Sequence, residues 1–386
     1  MNPIEIYRQT TRHFLRPIVP LLDDPTVSEI LINGPEQIYC ERAGRLQRVE
    51  AVRFPDNDAL LAAARNIAEF VNRSIDEDHH SLDARLPDGS RVHIIIPPCS
   101  RQGVCFSIRK FQKALFDLDK LVQRGSLSAT AAEFLRISVA LHKNLVVAGG
   151  TGTGKTSLLN ALSTAIPAHE RIIVIEDSSE LQLNQPHTLY LESRPAQPDG
   201  RGAVTIRDLF VDSLRMRPDR IVVGEVRRGE ALDLIQSMLS GHSGSLTTVH
   251  ASTPRDAAIR LETLCLMSDV SLPVHVARMQ VASALHLVVQ LVRLSDGTRR
   301  VGRITEMLGL DDKGAYQTSD LFVFRPRSGT SAGTIQGDLE PTGNRPTFAA
   351  EPFEMGLQEQ VRLTTDLFVS PSVETTDPTI TREASR

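Results

Sequence analysis

Four short apolar runs punctuate the middle of the chain, Leu145–Ala148, Ile172–Ile175, Ile221–Val223 and Leu246–Val249, and each finishes on polar residues. Helix-like stretches separate them, which predicts a parallel sheet with crossover helices and so an α/β fold for this region. In such sheets ligands sit outside the carboxyl ends of the strands, and those ends are where the polar residues fall.

Upstream the pattern differs. Residues 1–20 read as a short helix punctuated by Pro17 and Pro20, and Val27–Ile32 as a strand closed by Asn33-Gly34-Pro35, with a hairpin partner over 37–42. Leu61, Ala64, Ile67, Ala68 and Val71 recur at helical spacing. Two further strands flank the Pro87-Asp88-Gly89 turn, and 103–111 reads as another. Together these predict a small α+β N-terminal domain over residues 1–115. Helical patterning follows from 116, with Ser128 as N-cap, so the linker falls at about 112–127 and the second domain spans 116–325. That domain closes with a helix near 276–284, a hairpin of Leu285–Leu294 with Arg299–Leu308, and a short strand Leu321–Phe324. Beyond it the chain is rich in Pro, Gly, Ser, Thr and Glu, and 326–386 is expected to be a disordered C-terminal tail. Its small apolar clusters, Phe353 with Met355 and Leu367-Phe368-Val369, leave two readings open: a solvated tail or a docking peptide that orders on a partner.

Composition sets limits on function. The 386 residues, 41% of them hydrophobic, suffice for two or three globular domains. A net charge of -4 gives no global pull towards nucleic acid or an anionic membrane surface, so no direct nucleic-acid partner is expected. The four cysteines match no common zinc spacing and read as reduced thiols, which with the absence of a signal-like start places the protein in the cytoplasm. No apolar run approaches the roughly 18 residues that span a bilayer, so membrane contact is expected only through partners.

The candidate chemistry sits at the strand ends. Gly149-Gly150-Thr151-Gly152-Thr153-Gly154-Lys155-Thr156-Ser157, between an apolar strand and a helix start, fits the phosphate-loop pattern. A triphosphate needs many backbone N–H donors within reach, and glycines let the backbone wrap that closely. Lys155 would bridge the β- and γ-phosphates of ATP, Thr156 would take a place on Mg²⁺, and the following helix would aim its positive end at the anion. Hydrolysis also needs carboxylates to hold Mg²⁺ and orient water. The second strand ends in Glu176-Asp177-Ser178-Ser179-Glu180 and the third in Gly224-Glu225-Val226-Arg227, so both place acids where the metal would be. The fourth ends in Val249-His250-Ala251, and His250 could donate to a phosphate or a bound water. His242 reads as structural, and His79, His80 and His187 carry no metal spacing.

The phosphate loop, Glu176-Asp177 with Glu180-Leu181, Arg217–Arg227 and Gly241–Ala251 together resemble the Walker A, Asp box, Walker B and His box of the type II/type IV secretion ATPase superfamily. Within it they are most similar to the CpaF branch, the Tad pilus secretion ATPases. The likeness extends to Glu29–Pro35 and Asp83–Arg91 and covers roughly residues 20–325. It implies a homohexameric ring of subunits with a RecA-like C-terminal domain, driving inner-membrane platform proteins of a pilus or secretion system. Glu180 and Glu225 would handle Mg²⁺ and the attacking water, the metal being held by Thr156 and Glu225. His250 matches the His-box histidine, and Arg85, Arg91 and Arg109 are the candidates for the N-terminal arginines that reach the phosphates. Local pairing of these arginines with Asp83 or Asp88 is their alternative role. Arg228 stands where the branch commonly has a second glycine, and the four-cysteine zinc insertion of many type II relatives is missing, which favours the CpaF branch. Three other functions stay open: a conjugation-type type IV secretion ATPase, a nucleotide-switched scaffold with little turnover, and a RecA-like DNA motor.

Overall fold

The structure, a computed structural model, describes residues 2–42, 44–111, 117–196, 200–327 and 335–370. Two compact units divide the chain: Met1–Leu115 with Arg194–Thr205 and Leu294–Thr298, and Phe116–Ser193 with Ile206–Arg293 and Arg299–Arg386.

In the first unit α1 (Pro3–Phe14) and α2 (Val19–Asp23) precede β1 (Val27–Asn33), β2 (Ile38–Arg42) and β3 (Arg45–Arg48). Then come α3 (Asn57–Phe70), β4 (Ser81–Arg85), β5 (Arg91–Ile95) and β6 (Cys105–Arg109). The six strands form one antiparallel sheet in the order β3-β2-β1-β6-β5-β4. Asp56 caps α3 by accepting the Ala59 N–H, and the helix buries Leu60, Ala63, Ala64, Ile67 and Ala68 in the core with the sheet. An α+β unit is the result.

The second unit opens with α4 (Leu118–Gln123), α5 (Ala129–Ala140), β7 (Leu145–Gly149) and α6 (Lys155–Ser163). It continues through β8 (Ile172–Glu176), β9 (Thr188–Glu192), α7 (Ile206–Ser213), β10 (Arg220–Val223), α8 (Glu230–Leu239) and β11 (Leu246–Val249). Last come α9 (Pro254–Leu266), α10 (Val274–Ala284), β12 (Leu287–Arg293), β13 (Arg299–Leu310), β14 (Tyr316–Pro326), β15 (Gly337–Pro341) and the short α11 (Glu351–Glu354). The stretch expected to be a linker therefore holds α4, while 112–116 lie outside the described residues.

Nine strands order as β15-β14-β13-β12-β7-β11-β10-β8-β9, parallel from β12 to β9 and antiparallel from β12 to β15. The four apolar runs are its centre. Every residue of β7, β8, β10 and β11 is buried, because helices cover both faces of a parallel sheet. Val147, Val174 and Val222 pack with α5 and α6 on one face; Val146, Ile173 and Ile221 pack with α8, α9 and α10 on the other.

The expectation of disorder from 326 is corrected over 335–370. Residue 326 ends β14, β15 pairs with β14, and Leu339, Phe348, Leu367 and Phe368 are buried in the core beside Phe134. Two carboxylates tie the segment down. Glu306 accepts the Thr347 N–H, and Glu133 Oε1 accepts the N–H groups of Arg362, Leu363 and Thr364 at 2.8, 2.7 and 3.0 Å. The cluster left open between a solvated tail and a docking peptide thus packs, through Leu367 and Phe368, in the core of its own unit; 328–334 and 371–386 lie outside the described residues. Phe368 is 1% exposed and stacks on Phe134 with ring centroids 5.5 Å apart. Phe368→Ala is therefore expected to destabilise this unit by about 3–4 kcal/mol, read by chemical denaturation. An unchanged midpoint would mean that the segment does not pack.

Candidate functional site

The carboxyl ends of β7, β11, β10 and β8 are neighbours in the sheet, so the loops that follow them meet. The loop after β7 carries the phosphate-binding pattern. Gly152 and Gly154 take φ of 70° and 97°, which side chains rarely adopt. Gly149 lacks room instead: a Cβ there would stand 2.6 Å from Thr153 Oγ1. No side chain caps the start of α6, which leaves the N–H groups of its first turn facing the loop. Lys155 is 8% exposed, and its Nζ donates to the carbonyls of Gly149 and Gly150, both at 3.1 Å. Thr153 Oγ1 donates to Gly150 O at 2.9 Å, Thr151 is exposed at the loop tip and Ser157 is half-buried on α6. Arg293 and Arg299, at the ends of β12 and β13, border the same loop. Arg293 Nη1 lies 3.7 Å and Arg299 Cδ 3.8 Å from where a Cβ on Gly152 or Gly154 would stand.

Acids and the histidine close on this loop. Thr156 Oγ1 donates to Glu180 Oε2 at 3.2 Å. Glu225 follows β10, and both Nε and Nη2 of Arg227 donate to its Oε2, at 2.9 and 2.6 Å. Arg227 Nη1 also lies 3.6 Å from Asp177. His250 Nε2 is 2.7 Å from Glu225 Oε1 but out of line for a hydrogen bond, so that buried oxygen has no hydrogen-bond partner among the described residues. Lys155 Nζ lies 3.3 Å from that same Nε2 and 3.4 Å from Nδ1 of the His250 ring. Burial and the Lys155 ammonium push the His250 pKa below its ordinary value against the pull of the Glu225 carboxylate, which favours a neutral imidazole at pH 7. Thr248 fixes the Glu225 loop, donating through Oγ1 to Gly224 O at 2.8 Å and accepting the Val226 N–H.

The structure brings Gly149–Thr156, Glu180, Glu225 and His250 together in the second unit. Arg85, Arg91 and Arg109 are brought together in the first, as one row across β4, β5 and β6, with Glu29 of β1 next in line. Asp83 is engaged by His93 at 2.9 Å and Asp88 by the Ser90 hydroxyl at 2.9 Å.

Two residues that lie inside the quoted motifs received no role of their own from the sequence. Arg227, two positions after Glu225, grips that carboxylate. Glu176 is the last residue of β8 and only 4% exposed; its Oε1 accepts the N–H groups of Glu180 and Leu181 at 2.9 and 3.0 Å. Burial pushes its pKa up to about 7 against those two hydrogen bonds. The available signal was a carboxyl at the end of an otherwise wholly apolar strand.

For Mg²⁺ the donor set is hydroxyl and carboxylate oxygen, the chemistry that ion prefers. Among the described residues no group of three or more His, Cys, Asp or Glu forms a closed metal cage. Thr156 Oγ1 and Glu180 Oε2, 3.2 Å apart, and the Glu225 carboxylate are oxygen donors of the kind such an ion would take, with phosphate oxygens completing its shell. Among the described residues no helix is long and apolar enough to cross a membrane.

A family model described as type II/IV secretion system protein matches residues 12–336. The chain is 36% identical over 330 residues to the type IV secretion system protein PtlH of Bordetella pertussis, covering 78% of this chain and 96% of that one. It is 35% identical over 320 residues to the type IV secretion system protein VirB11 of Brucella suis, covering 74% and 87%. Its fold is similar to that of the Legionella pneumophila ATPase DotB, with a TM-score of 0.53 at 18% identity over 78% of this chain and 82% of that one.

Proposed function

The chain belongs to the type II/IV secretion system protein family, and on that premise we propose that it is a Mg²⁺-dependent ATPase powering a secretion or pilus machine. The observation that carries this reading is Glu225, its Oε2 held by Arg227 and its Oε1 2.7 Å from His250 Nε2, in the same cluster as Lys155, Thr156 and Glu180. A nucleotide-binding site needs the glycine loop and Lys155; only hydrolysis needs a positioned carboxylate. Bound at Thr156 and Glu225, Mg²⁺ would neutralise developing phosphate charge.

The residues divide the work. The Gly149–Gly154 backbone and the start of α6 bind phosphate, and Lys155 turns from the Gly149 and Gly150 carbonyls towards the β- and γ-oxygens. Glu225 orients the attacking water and takes up its proton, with Glu180 steadying Thr156. His250, held neutral, donates to the γ-phosphate or to that water. The phosphate-contacting role of Arg85, Arg91 and Arg109 is assigned on the sequence resemblance alone.

On the sequence resemblance we assign the chain to the CpaF-like branch, as a cytoplasmic homohexamer working on inner-membrane platform proteins. PtlH and VirB11 are named type IV secretion system proteins, which favours a second reading, a type IV secretion ATPase, the conjugation type being the alternative the sequence left open. Both are ATPases, so one measurement tests the shared claim. Turnover of ATP by the full chain is expected to require Mg²⁺, to stop on chelation and to rise per subunit with protein concentration as rings assemble. Negligible turnover at every concentration, with or without DNA, would leave a nucleotide-switched scaffold as the better description.

A further inference from the structure

Glu225 and Glu180 stand on separate loops, after β10 and β8, yet hydrolysis needs them at a fixed spacing. One buried side chain touches both loops. Glu176 ends β8, and its Oε1 accepts the N–H groups of Glu180 and Leu181 at 2.9 and 3.0 Å, which closes the turn that presents Glu180 to Thr156. Its stem fills the space beside Gly224, the residue before Glu225: a Cβ on Gly224 would stand 2.9 Å from Glu176 Cγ and 3.2 Å from its Oε1. The backbone seals the same joint, since the Gly224 N–H donates to Ile175 O at 2.9 Å. Gly224 has no positive φ, so space and not conformation demands glycine here.

We propose that Glu176 is a positioning residue, a buried strut that sets the spacing of Glu180 and Glu225. It acts through the two loops, by its contacts with the Glu180 and Leu181 amides and with Gly224. The chemistry of the side chain follows from this task. A leucine of similar bulk would fill the space by Gly224 but leave two buried N–H groups without an acceptor, releasing the Glu180 turn. Glutamine would keep the acceptor oxygen and resembles the protonated acid.

This inference rests on the ATPase reading for its kinetic arm, so the test adds an arm that does not. In the full chain, Glu176→Leu is expected to lower kcat roughly 10–100-fold while ADP affinity stays within a few-fold. Gly224→Ala, which pushes on the strut from the other loop, should produce the same split. Glu176→Gln should recover most of the lost kcat. Hydrogen exchange on the 177–183 peptide is the independent readout: the Glu180 and Leu181 amides lose protection in Glu176→Leu and keep it in Glu176→Gln. A folded Glu176→Leu protein with wild-type kcat and unchanged protection would overturn the strut, as would equal damage from Leu and Gln. Should the wild type hydrolyse nothing, the ATPase reading fails and the exchange pattern alone decides on the strut.

Discussion

Lys155→Ala is expected to lose ATP turnover by at least about 100-fold and to lose nucleotide binding with it. The Lys155 ammonium is buried at 8% exposure and rests on the carbonyls of Gly149 and Gly150, with His250 beside it. No other lysine stands in the 149–157 loop, and the neighbouring cations Arg293 and Arg299 border it at Gly152 and Gly154. Alanine therefore leaves a charge-poor loop. Removing the ammonium takes its two carbonyl partners' donor away but opens no large apolar cavity, so the fold is expected to survive. Binding can be read without turnover: ADP at a hundred times its Kd stabilises the wild type by about 2.7 kcal/mol, and Lys155→Ala should show no such gain. A variant that hydrolyses ATP normally would refute the whole site assignment.

The same loop shows why part of this molecule was legible from its sequence. β7, β8, β10 and β11 are buried on both faces, so they print as short, mainly apolar runs, with Thr247 and Thr248 in β11 the main interruption, and the glycines that the loop geometry requires sit in the order the phosphate pattern demands. Facing pairs in a hairpin were also within reach, since the Pro87-Asp88-Gly89 turn sets Arg85 opposite Arg91. What escaped depends on partners far apart in the chain. Phe368 stacks on Phe134, and Glu133 receives the Thr364 N–H, across more than 200 positions with no periodicity to announce either contact. A few scattered apolar residues in a Pro- and Gly-rich stretch suffice for packing when the rest of the core already exists. Glu176 was hidden for a related reason: its role appears only once β8 is known to lie beside β10, which brings Gly224 against its stem. The edge strand β9, half-buried along most of its length, gave no apolar run to read.

Glu225→Gln should separate binding from chemistry. The side chain is 19% exposed, with Oε2 taken by Arg227 and Oε1 beside the His250 ring. Glutamine has the same shape, but Arg227 can only donate and so will hold the amide oxygen, turning the NH₂ towards the position of Oε1. The acceptor that would take the proton of the attacking water is replaced by a donor, and the charge that would share the metal is gone. Turnover is expected to fall by roughly 10²–10⁴-fold. The glycine loop, Lys155 and α6 are untouched, so nucleotide should still bind, and the ADP-dependent stabilisation lost in Lys155→Ala should persist here. This contrast makes the pair of variants decisive. A protein in which both variants behave alike, binding nothing, would place Glu225 in the binding site alone. A protein in which Glu225→Gln keeps full turnover would require another base, and the carboxylate to test next would be Glu180, already on Thr156 at 3.2 Å.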